Sequence, residues 1–516
     1  MSILPVILAG GRGIGLWPIS TVDIPKQFVK IAEREYSLLQ DTVLRALQVM
    51  GKTSYLSQDL ANLYSDKQVA ESDEEYLKMY NPPDDSILQY VSDSSEEKLF
   101  VILGGDEYRY LITHQMNEIG VPGHLYDIIL EPSCKNTTPS AAIGAMYAKT
   151  KGFNQIWILP SDHCIENIDK LSEDFNKIIP HVDDKNIILL GITPTDPNMD
   201  YGYISTHNAD KNSPNPIAIH SFKEKPDQDT ANQYYQSGEY LWNSGMIFAN
   251  TEYFLGIFEK LLPDTHQICE SSWHKNVKQF GYINIGSDFN NIIPNSIDYE
   301  ILEKFKPIYV MKSSEIRWSD VGNLSNLPVL VKDSNNNKLF GNIYPSNTSN
   351  STIYSNSQDV QIVTHQVSDI LIYSHNNTVL VASADANIKE IQAEMYYHSS
   401  TSKKQFRPWG YYKVLSRNEN SLVKELTIMK NSKISKQKHE HRNEYWFIKS
   451  GHGIVEIDGE SIKTTPGQTV TVPAGAIHRV ENISKYVKLV IIEIQTGTIL
   501  TEADIIRFED DYGRIK

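Results

Sequence analysis

The sequence predicts an α/β region followed by two stretches built from short β-strands, and three observations carry that reading. An apolar run at residues 3–8 passes straight into a loop with four glycines in six residues, Gly10-Gly11-Arg12-Gly13-Ile14-Gly15, as a buried strand does when it ends in a tight turn. Apolar runs at 128–130, 156–159 and 187–190 then alternate with segments of helical spacing, the pattern of a mostly parallel sheet covered on both faces. From Lys338 the composition shifts to Asn, Ser, Thr, Ile and Val in short alternating segments, which reads as small β-structure.

At 516 residues the chain is long enough for two or more domains. A net charge of -16 excludes a general affinity for nucleic acid, so any phosphate site must be local. The three cysteines, Cys134, Cys164 and Cys269, are too few and scattered for a disulfide framework or a thiolate zinc cluster. No apolar run reaches the length of a membrane span, and residues 1–8 lack the basic start of a leader. A soluble, cytoplasmic protein without membrane partners is expected.

Taken in order, the glycine loop allows backbone N–H groups to approach phosphate oxygens, through Gly10, Gly11, Arg12 and Gly13. A glycine cluster after a strand is by itself an ordinary turn. Residues 38–50 have amphipathic helical spacing, whereas about 51–98 turn polar and acidic and read as a surface insertion. Residues 99–103 form the next strand and 114–119 the next helix. In such sheets ligands bind beyond the carboxyl ends of the strands. Polar residues cluster there: Lys135, Asn136 and Thr137, candidates to bind a nucleotide by reading a base edge, although Asn136 or Thr137 also suits a helix cap, and Asp162, a carboxylate type that holds magnesium together with substrate phosphates.

The continuation Leu16-Trp17-Pro18-Ile19-Ser20 and Pro25-Lys26-Gln27-Phe28 resembles the opening signature of the mannose-1-phosphate guanylyltransferases. Seven further matches follow that opening in the family's order: EPSCKNTTP from Glu131, PSDH from Pro160, GITPT with YGYI, FKEKPD from Phe222, YLWNSGM from Tyr240, SIDYE from Ser296 and WSDVG from Trp318. The resemblance implies a Rossmann-like nucleotidyltransferase domain over 1–330. It also implies Asp162 and Asp320 as ligands of one Mg2+, Gly202, Glu224 and Asn243 at the sugar, and Lys26 and Lys225 as catalytic cations. One departure stands out, because Gly15 occupies the place of the family's arginine. Arg12, three residues earlier, is the candidate replacement.

Residues 338–390 read as a short β-solenoid-like linker domain. The segment Gly467 to Asn482 fits the second cupin motif, G(x)5PxG(x)2H(x)3N, at every fixed position, so 400–516 reads as a C-terminal β-barrel (cupin). For the first cupin motif, Gln437, His439 and His441 share one side of a strand by their period of two. Pairing Gln437 with His439 leaves four residues before Glu444 and six more before Gly451. Gln437, His439, Glu444 and His478 are therefore the favoured ligands of Zn2+ or another divalent first-row metal; the alternative exchanges Gln437 for His441.

Residues 434–444 and the ending Arg507-Phe508-Glu509-Asp510-Asp511-Tyr512-Gly513-Arg514 resemble the type II phosphomannose isomerases, except that Tyr445 replaces a histidine. The combined resemblance implies two reactions. GTP and mannose 1-phosphate would give GDP-mannose and pyrophosphate, and mannose 6-phosphate would interconvert with fructose 6-phosphate. The isomerase phosphate falls to Arg507 or Lys436, and the base to His441 or a hydroxide on the metal. Two rivals stay open: an isomerase whose first domain is inactivated by Gly15 and serves as a binding or regulatory module, and a non-catalytic sugar-phosphate sensor. Whether the chain forms a homo-oligomer is also left open.

Overall fold

The computed structural model describes residues 3–11, 13–31, 34–52, 98–206, 213–322, 324, 327, 330–357, 359–376, 378–398, 404–484 and 487–510. Almost all of the insertion expected at 51–98 lies outside them, as does Arg12. The chain divides into two compact units, 1–400 and 401–516.

The first unit is built on a twelve-stranded sheet. Strands β1 (Ile3–Leu8), β2 (Phe100–Gly105), β3 (Tyr126–Glu131) and β4 (Gln155–Pro160) run parallel in the order β3-β2-β1-β4. Strand β6 (Ile187–Ile192) joins them through the eleven-residue β7 (Tyr240–Asn250), which is antiparallel to both neighbours. The sheet is therefore mixed where a mostly parallel one is expected, because the YLWNSGM segment forms a long return strand. A two-stranded ladder of β5 (His163–Ile165) and β8 (Trp318–Asp320) sets Asp320 opposite His163.

Helix α1 (Leu38–Val49) starts at Ser37, whose hydroxyl accepts from the Gln40 amide while the Gln40 side chain answers the Ser37 N–H. This reciprocal box satisfies two donors that a helix start leaves orphaned. The next helix runs Arg109–Glu118, five residues earlier than its apolar spacing begins. The alanines of α2 (Thr137–Thr150), among them Ala141, Ala142 and Ala145, pack with Val6, Leu103 and Ile158 of the strands in one apolar core. Small side chains let the helix lie close over the sheet. Gly144 allows the closest approach, since a Cβ there would stand 2.3 Å from Val6.

Residues 338–383 form two sets of parallel strands, one joining 338–340, 352–355 and 370–375, the other joining 343–349 and 362–368. Tyr354 and Tyr373 from this stack share an apolar core with Leu16, Trp17 and Ile19. Helix α3 (Ile388–His398) adds Gln392, whose amide donates to the Gly15 and Trp17 carbonyls at 3.0 Å each. The stack therefore braces the far end of the glycine loop.

The second unit contains two antiparallel β-sheets, each of six strands. Trp446, Ile448, Val472 and Ile491 of one share an apolar core with Val455 and Val480 of the other and with Ile434 between two of its strands. The two sheets pack face to face, and neither closes on itself among the described residues. Among the described residues no helix is long and apolar enough to cross a membrane.

Candidate active sites

The first site forms where the loops after β1 and β4 meet β8. Gln27 pins the glycine loop by donating to the Ala9 and Gly11 carbonyls at 2.8 and 2.7 Å. Gly13 has φ +63°, and a Cβ there would meet the Lys26 backbone at 2.3 Å, so only glycine fits. Lys26 thereby reaches into the site, with Nζ 2.9 Å from Asp162 and 2.7 Å from Asp320. Burial would lower its pKa, but the two carboxylates override this and raise it above the ordinary lysine range. Asp162 is likewise held down at about 2, chiefly by Lys26 working against its burial. Two aspartates from distant segments thus converge on one cation, an oxygen-rich arrangement suited to Mg2+ with substrate phosphates.

Beside Gly10 lies Glu131, 2 % exposed, whose Oε1 is buried with no hydrogen-bond partner. A Cβ on Gly10 would stand 3.0 Å from Glu131 Oε2. Burial pushes this carboxyl up to about 7. The other proposed nucleotide residues are engaged locally. Asn136 caps α2 through the Thr137 N–H, the Thr137 hydroxyl accepts from Ile297 N, and Lys135 donates to the Asn290 carbonyl at the surface. Gly11 is exposed with open space around its Cα, and Arg12 lies outside the described residues.

Gly15 is more constrained than its type implies. A Cβ there would meet the Gly322 carbonyl at 2.7 Å, two residues beyond Asp320.

The sugar-side residues are brought together. Asn243 donates to Asp298 Oδ1 at 3.0 Å, and Ser296 to Asp298 Oδ2 at 2.6 Å. A Cβ on Gly202 would stand 2.6 Å from Glu224 Oε2, so glycine leaves room for that carboxylate. Burial, then the charge of Asp298, raises Glu224 to about 7, although Lys225 lies 3.1 Å away. The buried Glu224 and half-buried Asp298 carboxyls suit a ligand rich in hydroxyl donors.

The second site is formed in the other unit by His439, Glu444 and His478, whose ligand atoms lie within 4.8 Å of one another and are buried. His439 Nδ1 is 3.0 Å from the Arg442 carbonyl, and His478 Nδ1 is 3.0 Å from the Ala476 carbonyl. A carbonyl only accepts, so each Nδ1 carries the proton and each Nε2 presents a lone pair. Both Nε2 atoms are buried without a hydrogen bond of good geometry, although His439 Nε2 lies 3.0 Å from Glu444 Oε1. The donor set and its orphaned nitrogens fit a divalent metal. Glu444 stays ionised, its carboxyl held well below the usual range by His439, His478 and Arg442 against the effect of burial.

Gln437 pairs with His478 in the ladder, and its Oε1 accepts from Ser435 at 2.9 Å. Its side chain lines the same cavity as Glu444, Arg442 and Arg507. His441 is not part of the triad. Its half-exposed ring meets the buried Asp504 carboxylate at 2.7 Å. Lys436 is engaged by Glu456 at 2.7 Å.

Several contributors had weak sequence signals. Glu131 and Asp298 stand inside quoted motifs, yet nothing in their type or spacing marks the unpartnered oxygen of the one or the contact of the other with Asn243. Gln27, Gln392 and Asp504 act through contacts that only the folded chain creates.

A family model described as nucleotidyl transferase matches residues 4–336, and one described as mannose-6-phosphate isomerase C-terminal matches 394–510. The chain is 32 % identical to the mannose-1-phosphate guanylyltransferase RfbM of Salmonella typhimurium over 99 % of this chain and 98 % of that one. It is 29 % identical to the xanthan biosynthesis protein XanB of Xanthomonas campestris over 99 % of both. A solved structure from Thermus thermophilus, described as a mannose-1-phosphate geranyltransferase, shares the fold at TM-score 0.58 and 20 % identity, covering 78 % of this chain and all of that one. The chain belongs to the nucleotidyl transferase family and, along its whole length, to the mannose-1-phosphate guanylyltransferases that end in a mannose-6-phosphate isomerase C-terminal region.

Proposed function

We propose that this chain is a bifunctional enzyme that transfers GMP from GTP to mannose 1-phosphate and interconverts mannose 6-phosphate with fructose 6-phosphate. The observation that carries the reading is the presence of two separate charged centres in one chain, Lys26 with Asp162 and Asp320 in the first unit and His439 with Glu444 and His478 in the second. GDP-mannose made by the first serves polysaccharide synthesis, a reading supported by the xanthan relative. The expected location is the cytoplasm.

In the transferase, the mannose 1-phosphate oxygen attacks the α-phosphorus of GTP in line, the bond to the β-phosphate oxygen breaks, and pyrophosphate leaves. The glycine loop cradles the triphosphate and Lys26 steadies the charge that develops on the α-phosphate. Asp162 and Asp320 would hold Mg2+, which supplies charge neutralisation across both substrates. Glu131 offers its buried acceptor to the N–H donors of guanine. Glu224 and Asn243 orient the sugar, and Lys225 meets its phosphate. The intact constellation supports activity despite Gly15, and no observation favours the isomerase-only alternative.

In the isomerase, His439, Glu444 and His478, with Gln437, would hold Zn2+ or another first-row ion, which supplies polarisation of the sugar carbonyl and hydroxyl. A proton leaves C2 and returns at C1 through an enediol. His441, oriented by Asp504, is the protein group for that transfer. We read residues 400–516 as a cupin barrel made of the two facing sheets, and 338–390 as a solenoid-like linker domain that braces the glycine loop.

Two assays on one preparation test the proposal. Pyrophosphate release from GTP and mannose 1-phosphate with magnesium reports the first activity, and fructose 6-phosphate formation the second.

A further inference from the structure

Each oxygen of the Glu502 carboxylate has its own guanidinium. Arg407 Nη2 lies 3.2 Å from Oε1, and Arg507 Nη2 lies 2.9 Å from Oε2. All three side chains line the cavity that Glu444 and Gln437 also line, and Arg507 stands opposite Gln437 in its ladder. Burial would raise the Glu502 carboxyl, but the two arginines override it and hold it below the ordinary range.

The other cations of the cavity are already matched. Lys424 faces Glu493 at 3.4 Å, and Arg442 faces Glu444 at 3.0 Å. Arg407 has Glu502 as its sole carboxylate partner among the described residues. Its other contacts are the Phe406 carbonyl, Gln405, and the hydroxyl and ring of Tyr412. Arg507 retains a buried Nε without a partner. Two guanidiniums therefore share one carboxylate, which leaves an excess positive charge and a free donor. A phosphate monoester carries about −1.5 to −2 charges and three acceptor oxygens, and so matches the pair better than a carboxylate does. Glu502 can also leave. It sits on the single turn Glu502–Asp504 with its side chain 53 % exposed, so rotation takes its carboxylate to solvent without opening the core.

We propose that Arg407 and Arg507 form the phosphate-monoester subsite of this cavity and that Glu502 is its internal occupant, displaced when the phosphate of a sugar phosphate arrives. The inference rests on the isomerase reading of the second unit. It adds a competitor built into the chain, which sets substrate affinity without taking part in the chemistry.

Calorimetric titration of the full chain with inorganic phosphate and with mannose 6-phosphate tests it, using wild type, Glu502→Gln, Glu502→Ala and Arg407→Ala. Both Glu502 variants are expected to bind phosphate on the order of tenfold more tightly, and Arg407→Ala more weakly by a similar factor. In steady state, Glu502→Gln lowers KM for mannose 6-phosphate and leaves kcat within about twofold. Unchanged or weaker phosphate binding by both Glu502 variants, with unaltered melting curves, would overturn the proposal and make Glu502 a prop that positions the arginines. If either variant loses its cooperative melting transition, Glu502→Asp, which keeps the charge but shortens its reach, replaces it under the same criterion. Tighter binding without isomerisation would leave the subsite standing and remove the isomerase reading; isomerisation with unchanged binding would do the reverse.

Discussion

The Lys26 ammonium lies 2.7 Å from the Asp320 carboxylate, a contact between residues 294 positions apart. It ties the glycine loop to the β5–β8 ladder, so the site exists only when segments far apart in the chain are brought together. With Asp162 on its other side, Lys26 keeps two carboxylates together before any substrate arrives.

Replacing that lysine tests the arrangement. Lys26→Met is expected to lower kcat for pyrophosphate release by on the order of 10²–10³. Its melting temperature should rise with added magnesium more than that of wild type, because two unscreened carboxylates then have an external cation to gain. Scanning calorimetry with and without magnesium checks the stability shift on the same preparation used for the rate.

Glu131 predicts a pH dependence of stability. Its carboxyl is raised from 4.5 to about 7 by burial, so between these values the native state keeps a proton that the unfolded chain releases. Stability must then fall as pH rises through this window and level off above it. Glu131→Gln removes the effect. The variant should gain roughly 2–3 kcal/mol on wild type at pH 8 and nothing at pH 4, read from denaturant melts, while its affinity for GTP falls.

Gly15 stands where the opening signature that the chain resembles has an arginine. Since a Cβ would stand 2.7 Å from the Gly322 carbonyl, Gly15→Arg is expected to push the segment that carries Asp320, and so to reduce pyrophosphate release instead of restoring a missing charge. Gly15→Ala should destabilise by about 1–3 kcal/mol. A rise in transferase rate in Gly15→Arg would contradict the packing described for this loop.

The second unit predicts a separable loss. His478→Ala removes one of three converging donors, so bound divalent metal measured by atomic absorption should drop together with fructose 6-phosphate formation. Pyrophosphate release should persist, because its residues belong to the other unit.

Much of this was legible in the sequence where function is local. The spacing of the two cupin motifs singled out His439, Glu444 and His478, whose donor atoms lie within 4.8 Å of one another on strands of two different sheets. The glycine loop and the carboxylates after strands were legible for the same reason, since backbone geometry near them is set within a few residues. What escaped is non-local. Gln392 holds the Gly15 carbonyl from 377 residues away, and Asp504 holds His441 from 63. Glu131 carries no sign in the sequence that its oxygen lacks a partner. The antiparallel β7 was obscured because a strand's direction depends on its neighbours and not on its composition.

The most direct measurement is pyrophosphate release and mannose 6-phosphate isomerisation assayed on one preparation of the full chain, with magnesium and a first-row divalent metal present. Both activities are predicted, with chelation followed by magnesium alone restoring only the first. Isomerisation with no pyrophosphate release above background from folded, soluble protein would contradict the account and leave the first unit without its proposed chemistry.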